Sequence, residues 1–316
     1  MLWWLGGPDS GVSEMTVVEK AGAVKRSTVH KVIPIVLVIA GILVLLYPVA
    51  VTYLRNANHA SIADAYRNSQ TQVPEVDRAA WLERAREYND TNTNIPILDP
   101  WLARVSKENA PYRGYLEQLN PTGDPEAPMA TVSIPAIDSK LPLYHGTAAE
   151  TLQRGLGHLY GSALPVGGEG NHSVLTGHTG LTTATMFDRL DEVVEGDVFY
   201  LDVLGEPLKY EVDQIKVVLP NEIDDLQPEE GRDLFTLITC TPYGVNSHRL
   251  LVRGTRVPMD EEELEEAFGD GGLWQTWMTW VLILVAIVLL IILVLVLRML
   301  ARKRAAYPGE GRHRVR

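Results

Sequence analysis

Two stretches without a charged residue constrain this chain more than any other feature. The first runs from Val32 to Leu54, 23 residues between Lys31 and Arg55, and the second from Leu273 to Leu297, 25 residues ending at Arg298. As helices rising about 1.5 Å per residue, each reaches roughly 35 Å, enough to cross a hydrocarbon layer of about 30 Å. The second is apolar on every side (VLILVAIVLLIILVLVL) and offers no polar face to a water-soluble fold. Trp274, Trp277 and Trp280 stand at its start, where amphipathic rings favour a membrane interface. The first is longer than the apolar region of a secretory signal and no A-x-A cleavage pattern follows it, so an uncleaved anchor is expected.

The flanks outside these stretches hold 11 basic residues against four acidic ones, which by the positive-inside rule predicts that both termini are cytoplasmic. The segment between them, residues 55–272, carries 17 basic and 36 acidic residues and is expected outside the cell membrane. So acidic a surface repels a phosphate backbone, which argues against nucleic acid as a partner. External compartments are oxidising and cysteines there usually pair, yet the chain has a single cysteine, Cys240. A lone exported cysteine is an inert buried side chain, a site of intermolecular pairing or a thiol kept for chemistry.

The expected order is a loose cytoplasmic tail (1–31), a membrane helix (32–54), a helical extension with a loop (55–128), a β-domain (129–258), an acidic spacer (259–272), a second membrane helix (273–297) and a basic tail (298–316). Ala60 to Tyr88 is helical in composition and interrupted by Pro74, which predicts two helices. The turn-rich DTNTNIPILDPW, residues 90–101, sets Trp101 on a loop, and a further helix is expected at about 103–119. From Ala130 the apolar residues recur every second position. Strands are expected at 130–134, 139–144, 173–177, 198–203, 208–213, 215–219, 234–239 and 249–257, and so many short strands suggest a closed β-barrel of about eight. The spacer 260–270 has seven acidic residues in eleven and reads as solvated. There is no phosphate-binding glycine loop and no Cys/His cluster at ligand spacing, so neither cofactor nor metal is expected.

Cys240 closes the predicted strand LFTLITC, and the loop TPYGVNSH leads into a strand beginning at Arg249, a hairpin that brings the two together. A guanidinium there would stabilise a thiolate and could bind an oxyanion, as acyl transfer through cysteine requires. An imidazole is also needed to exchange protons. His59, His145, His158, His172, His178 and His248 compete for that role, and the residues alone narrow the choice only partly: His178 lies in LTGHTGL, at a strand end between glycines.

TLITC (236–240), LTGHTGL (175–181) and NSHRLLVRG (246–254) resemble, in order, the cysteine, histidine and arginine motifs of sortases. The resemblance covers about residues 60–258 and implies the sortase β-barrel, with Cys240 as nucleophile, His178 as general acid/base and Arg249 as stabiliser of the oxyanion or substrate. It implies cleavage of an LPxTG-like sorting signal after threonine and transfer of the acyl group to an amine. The segment Asp99-Pro100-Trp101 resembles the lid of class C, pilus-assembling sortases, in which the acidic residue pairs with the catalytic arginine and the aromatic covers the cysteine. With the second apolar stretch this implies a two-pass enzyme of a Gram-positive-type bacterium that joins pilin subunits through a pilin lysine. The alternatives are a housekeeping sortase using cell-wall precursor amines and an inactive membrane-bound scaffold or adhesin. An L,D-transpeptidase is disfavoured, because Ile238 and Thr239 stand where its motif has histidine and glycine.

Overall fold

The computed structural model describes residues 12–70, 72–91, 110–181, 183–260, 263, 267–269 and 272–306. They divide into two units, residues 1–49 with 276–316, and residues 50–275.

The first unit contains most of helix α1 (Val12–Gln70), which continues into the second, together with a C-terminal helix (Thr276–Ala306). Two helical segments, Val32–Gln70 and Thr276–Arg302, are long and apolar enough to cross a membrane, and side chains such as Leu37, Val44, Leu290 and Ile291 are exposed. The helix begins at Val12, where a loose tail was expected. Once a helix is nucleated each added residue gains a hydrogen bond, and Glu14, Glu19, Lys20, Lys25 and Arg26 are adequate helix formers. The first expected extension helix is likewise the continuation of α1 to Gln70.

In the second unit the helix breaks before Pro74 as expected, and α2 (Glu75–Thr91) and α3 (Ala110–Leu116) follow. The eight strands are β1 (Ala130–Ile134), β2 (Ser139–His145), β3 (Leu156–His158), β4 (His172–Thr176), β5 (Val198–Val203), β6 (Glu206–Val218), β7 (Leu234–Thr241) and β8 (His248–Val257). A short helix, α4 (Ala149–Arg154), lies between β2 and β3, and the C-terminal helix is α5. The strands close into a barrel in the order β1-β2-β3-β4-β7-β8-β6-β5.

The count of eight matches the expectation through two offsetting differences. The strands expected at 208–213 and 215–219 are one, β6, whose pairing to β8 shifts between Val212 and Gln214; that bulge breaks the alternation that periodicity reads. Strand β3 was not expected, because three residues are too few to establish a period.

Inside the barrel Leu143, Leu156, Leu175, Phe235, Leu237 and Val252 form a continuous core with Leu82 and Ala85 of α2 and Tyr112 and Tyr115 of α3. The helical extension is therefore part of the fold rather than an appendage. Tyr66 on α1 fastens it further, accepting the Leu204 N–H (2.9 Å) and donating to the Met129 carbonyl (2.8 Å).

The acidic spacer is not simply solvated. Glu263 pairs with Lys209 at 2.7 Å, and Ala267 and Phe268 are buried against Tyr200. The Lys140 ammonium donates to the carbonyls of Phe268 and Gly269, and the Arg67 guanidinium lies 4.2 Å from the centre of the Phe268 ring. Counting charges hides the two apolar residues that dock the segment. The second expected span also starts later than its uncharged run: Leu273 to Gln275 belong to the barrel unit, where Trp274 meets Tyr53 edge to face at 6.3 Å.

Candidate active site

The site is built around β7. Phe235 and Leu237 enter the barrel core, while Ile238 faces a second apolar cluster with Val174, Leu251, Leu226 and Leu159. Since alternate residues share a face, Cys240 lies on the side of Ile238, at the end of that cluster. Antiparallel pairing sets Cys240 directly opposite Arg249 on β8, at a Cα separation of about 5 Å for such pairs. The hairpin turns tightly: the amides of Val245 and Asn246 both donate to the Pro242 carbonyl, and Gly244 and Asn246 take positive φ of 74° and 60°. Glycine adopts that region at no steric cost, and asparagine tolerates it better than most residues. Arg249 Nη1 donates to the carbonyls of His248 (3.1 Å) and Asn246 (3.4 Å), which turns the guanidinium toward the hairpin loop.

On the other side β4 runs parallel to β7, with Thr176 paired to Ile238. Two further bonds carry the alignment past the strand end: the Gly177 amide donates to the Ile238 carbonyl (3.1 Å), and the Thr239 hydroxyl donates to the Gly177 carbonyl (2.8 Å). Two residues on from the Thr176–Ile238 pair, His178 stands level with Cys240. His178, Cys240 and Arg249 thus lie side by side at one end of three adjacent strands, about 5 Å between neighbouring backbones. Cys240 and Arg249 are only 9% and 7% exposed, and His178 is half-buried. Burial lowers the His178 imidazole from its ordinary value.

The glycines of LTGHTGL have identifiable work. A Cβ on Gly177 would lie 2.6 Å from Leu156 and 2.8 Å from Phe187, so close packing fixes that residue. Gly180 has a φ of 81° and lies against Tyr243 of the hairpin loop. Its amide donates to the Asp188 carboxylate at 2.6 Å, and Thr179 adds a longer bond at 3.4 Å. Burial nevertheless raises the Asp188 carboxyl to about 6. Nothing in the sequence reading singled out Asp188, which belongs to no motif and lies ten residues beyond His178.

Four of the other candidate histidines sit elsewhere. His172 is buried, donating through Nδ1 to the Gln227 carbonyl (2.9 Å) and meeting the Thr236 hydroxyl at Nε2 (2.7 Å). His158 and His145 are buried beside Tyr115, bonded to the carbonyls of Ala163 and Gln118, and burial lowers them to about 3 and 4. His59 is buried on α1. His248 lies next to Arg249, with its Nδ1 2.8 Å from the Ser247 hydroxyl. The expected lid residues Asp99, Pro100 and Trp101 lie outside the described residues.

A sortase domain family model matches residues 132–257. The chain is 30% identical over 129 residues to sortase D of Bacillus subtilis, a match covering 40% of this chain and 62% of that protein. Among solved structures it is similar to sortase A from Corynebacterium diphtheriae, with 54% identity, a TM-score of 0.60, and coverage of 66% of this chain and 98% of the other. A lid mutant of that protein gives 53% identity, a TM-score of 0.57 and coverage of 61% and 100%. Sortase C-1 from Actinomyces oris is 55% identical, with a TM-score of 0.54 over 58% of this chain and 99% of that one. A Streptococcus pneumoniae sortase C, solved with a view to catalysis and pilin substrate specificity, is 41% identical with a TM-score of 0.57 over 63% and 97%.

Proposed function

Because the chain belongs to the sortase family of cysteine transpeptidases, we propose that Cys240, His178 and Arg249 are its catalytic residues and that it joins pilin subunits. The observation that carries this reading is the alignment of Cys240 on β7 and Arg249 on β8 with His178, just past the end of β4. The Cys240 sulfur attacks the threonine carbonyl of an LPxTG-like signal as the thiol proton passes to His178, and Arg249 stabilises the oxyanion. His178 delivers a proton to the departing glycine amine, leaving a thioester on Cys240. A second amine then attacks the thioester while His178 accepts its proton, and the thiol is released. One acyl bond replaces another, so no external energy source is needed.

A pilin lysine as the second amine is favoured by the likeness to sortase C proteins, one of them described in terms of pilin specificity. Asp99, Pro100 and Trp101 form a lid in this reading, Asp99 pairing with Arg249 and Trp101 covering Cys240 through charge-assisted and apolar contacts. The barrel lies outside the cell membrane, both termini lie in the cytoplasm, and α1 and α5 cross the membrane. A cell-wall precursor amine is the second reading.

The test is intact-mass analysis of the detergent-solubilised full chain, with and without Trp101→Ala, after incubation with an LPxTG peptide and a lysine-bearing pilin fragment. The expected product is a thioester on Cys240, absent from Cys240→Ala and formed faster by Trp101→Ala, followed by an isopeptide to lysine. Resolution only by glycine-type amines would support the second reading. Absence of any adduct with wild type and Trp101→Ala would sink both.

A further inference from the structure

The loop that carries His178 is held from outside itself by a residue at the far end of the chain. Residues 178–187 leave and return at one point, because the Phe187 amide donates to the His178 carbonyl at 3.1 Å. Near its return, Thr185 is gripped twice by Asn56 of α1: the Thr185 N–H donates to Asn56 Oδ1 (3.2 Å), and Asn56 Nδ2 donates to the Thr185 hydroxyl (2.9 Å). Asn56 is nearly buried, so water does not readily replace either bond. The next residue, Met186, has a φ of 42°, a left-handed conformation that is strained for a non-glycine residue and persists only where its surroundings over-determine it. Met186 and Phe187 are both buried, so the strained turn is clamped by Asn56 on one side and by the core on the other.

We infer that Asn56 is a positioning residue for His178, acting through Thr185 on the return of the loop. The inference rests on the proposed catalytic role of His178 and adds to it a group 129 positions away in sequence from Thr185. The carboxamide suits the task because one side chain supplies both an acceptor for the backbone amide and a donor to the hydroxyl. Neither bond touches substrate. The effect falls on the proton-transfer steps, since the loop that Asn56 holds is the one that carries His178. Asp188 holds the departing end of the same loop at Gly180, Tyr243 flanks it from the hairpin, and Asn56 holds its return from α1.

The experiment compares steady-state transpeptidation by the full-length chain, Asn56→Ala and Asn56→Asp, alongside thermal unfolding of each. Aspartate keeps an oxygen for the Thr185 amide and can accept from the Thr185 hydroxyl, whose proton rotates freely. Asn56→Ala should lower kcat about tenfold with KM for the sorting peptide unchanged, the scale at which sub-ångström misplacement of a catalytic group acts. Asn56→Asp should recover most of the lost kcat. Equal kcat in wild type and Asn56→Ala, or a loss that tracks the fall in Tm and is not recovered by aspartate, overturns the inference while leaving the transpeptidase reading intact. A wild-type chain that forms no Cys240 adduct removes both.

Discussion

At the scale of single residues, the proposed reacting groups could be named from the sequence and the contacts that hold them could not. Cys240 and Arg249 could be placed opposite one another because a hairpin's register follows from its turn, and the structure pairs them directly. His178 could be preferred only through the family motif, because six histidines compete and burial, which separates them, is not written in the sequence. Asn56 and Asp188 left no signal, since each acts through a contact that depends on how distant segments pack. Asp188 offers a pH test. Its carboxyl is raised to about 6 by burial, so the native state binds its proton more tightly than the unfolded chain does. The stability this contributes is fully present below about pH 4 and is lost as pH rises through about 6. Asp188→Asn keeps an oxygen for the Gly180 amide and removes the buried charge. Its Tm relative to wild type should therefore increase between pH 4 and 7, read by thermal unfolding across that range, and a constant difference would count against a buried charge there.

At the scale of elements, strands with an uninterrupted alternation were readable and those shaped by neighbours were not. Strand β5 was expected at its observed limits, Val198–Val203, because it carries its own period. Strand β3 exists because β2 and β4 both offer it hydrogen-bonding partners, a property of the barrel rather than of Leu156-Gly157-His158. The segment after β8 teaches the same lesson from the side of charge. Its seven acidic residues suggested solvation, but Phe268 is buried against Tyr200 and stacked by Arg67. Phe268→Ala should destabilise the full chain by about 3 kcal/mol, the usual cost of deleting a buried phenyl ring, with little change in Cys240 chemistry. Chemical denaturation followed by tryptophan fluorescence would measure it, and a change under about 0.5 kcal/mol, typical of surface positions, would return the segment to the status of a spacer.

At the scale of the whole molecule, the two uncharged stretches and the strand-rich middle correspond to two long apolar helices and the barrel, because length and charge mark such helices more firmly than any local pattern marks a turn. The proposed orientation makes a direct prediction. In intact protoplasts carrying a tag at each terminus, external protease should degrade the barrel and leave both tags protected until the membrane is permeabilised. Cleavage of either tag without permeabilisation would refute a topology with both ends inside.

The barrel's closure also bears on how a peptide can be recognised. Every strand has a neighbour on both sides, so no strand offers a wholly free edge along which an extended segment could add as another strand. In the proposed function, a sorting signal would then be held mainly through its side chains and through loops that reach over it. The same lack of an edge removes a template for sheet-to-sheet association between copies crowded on one membrane.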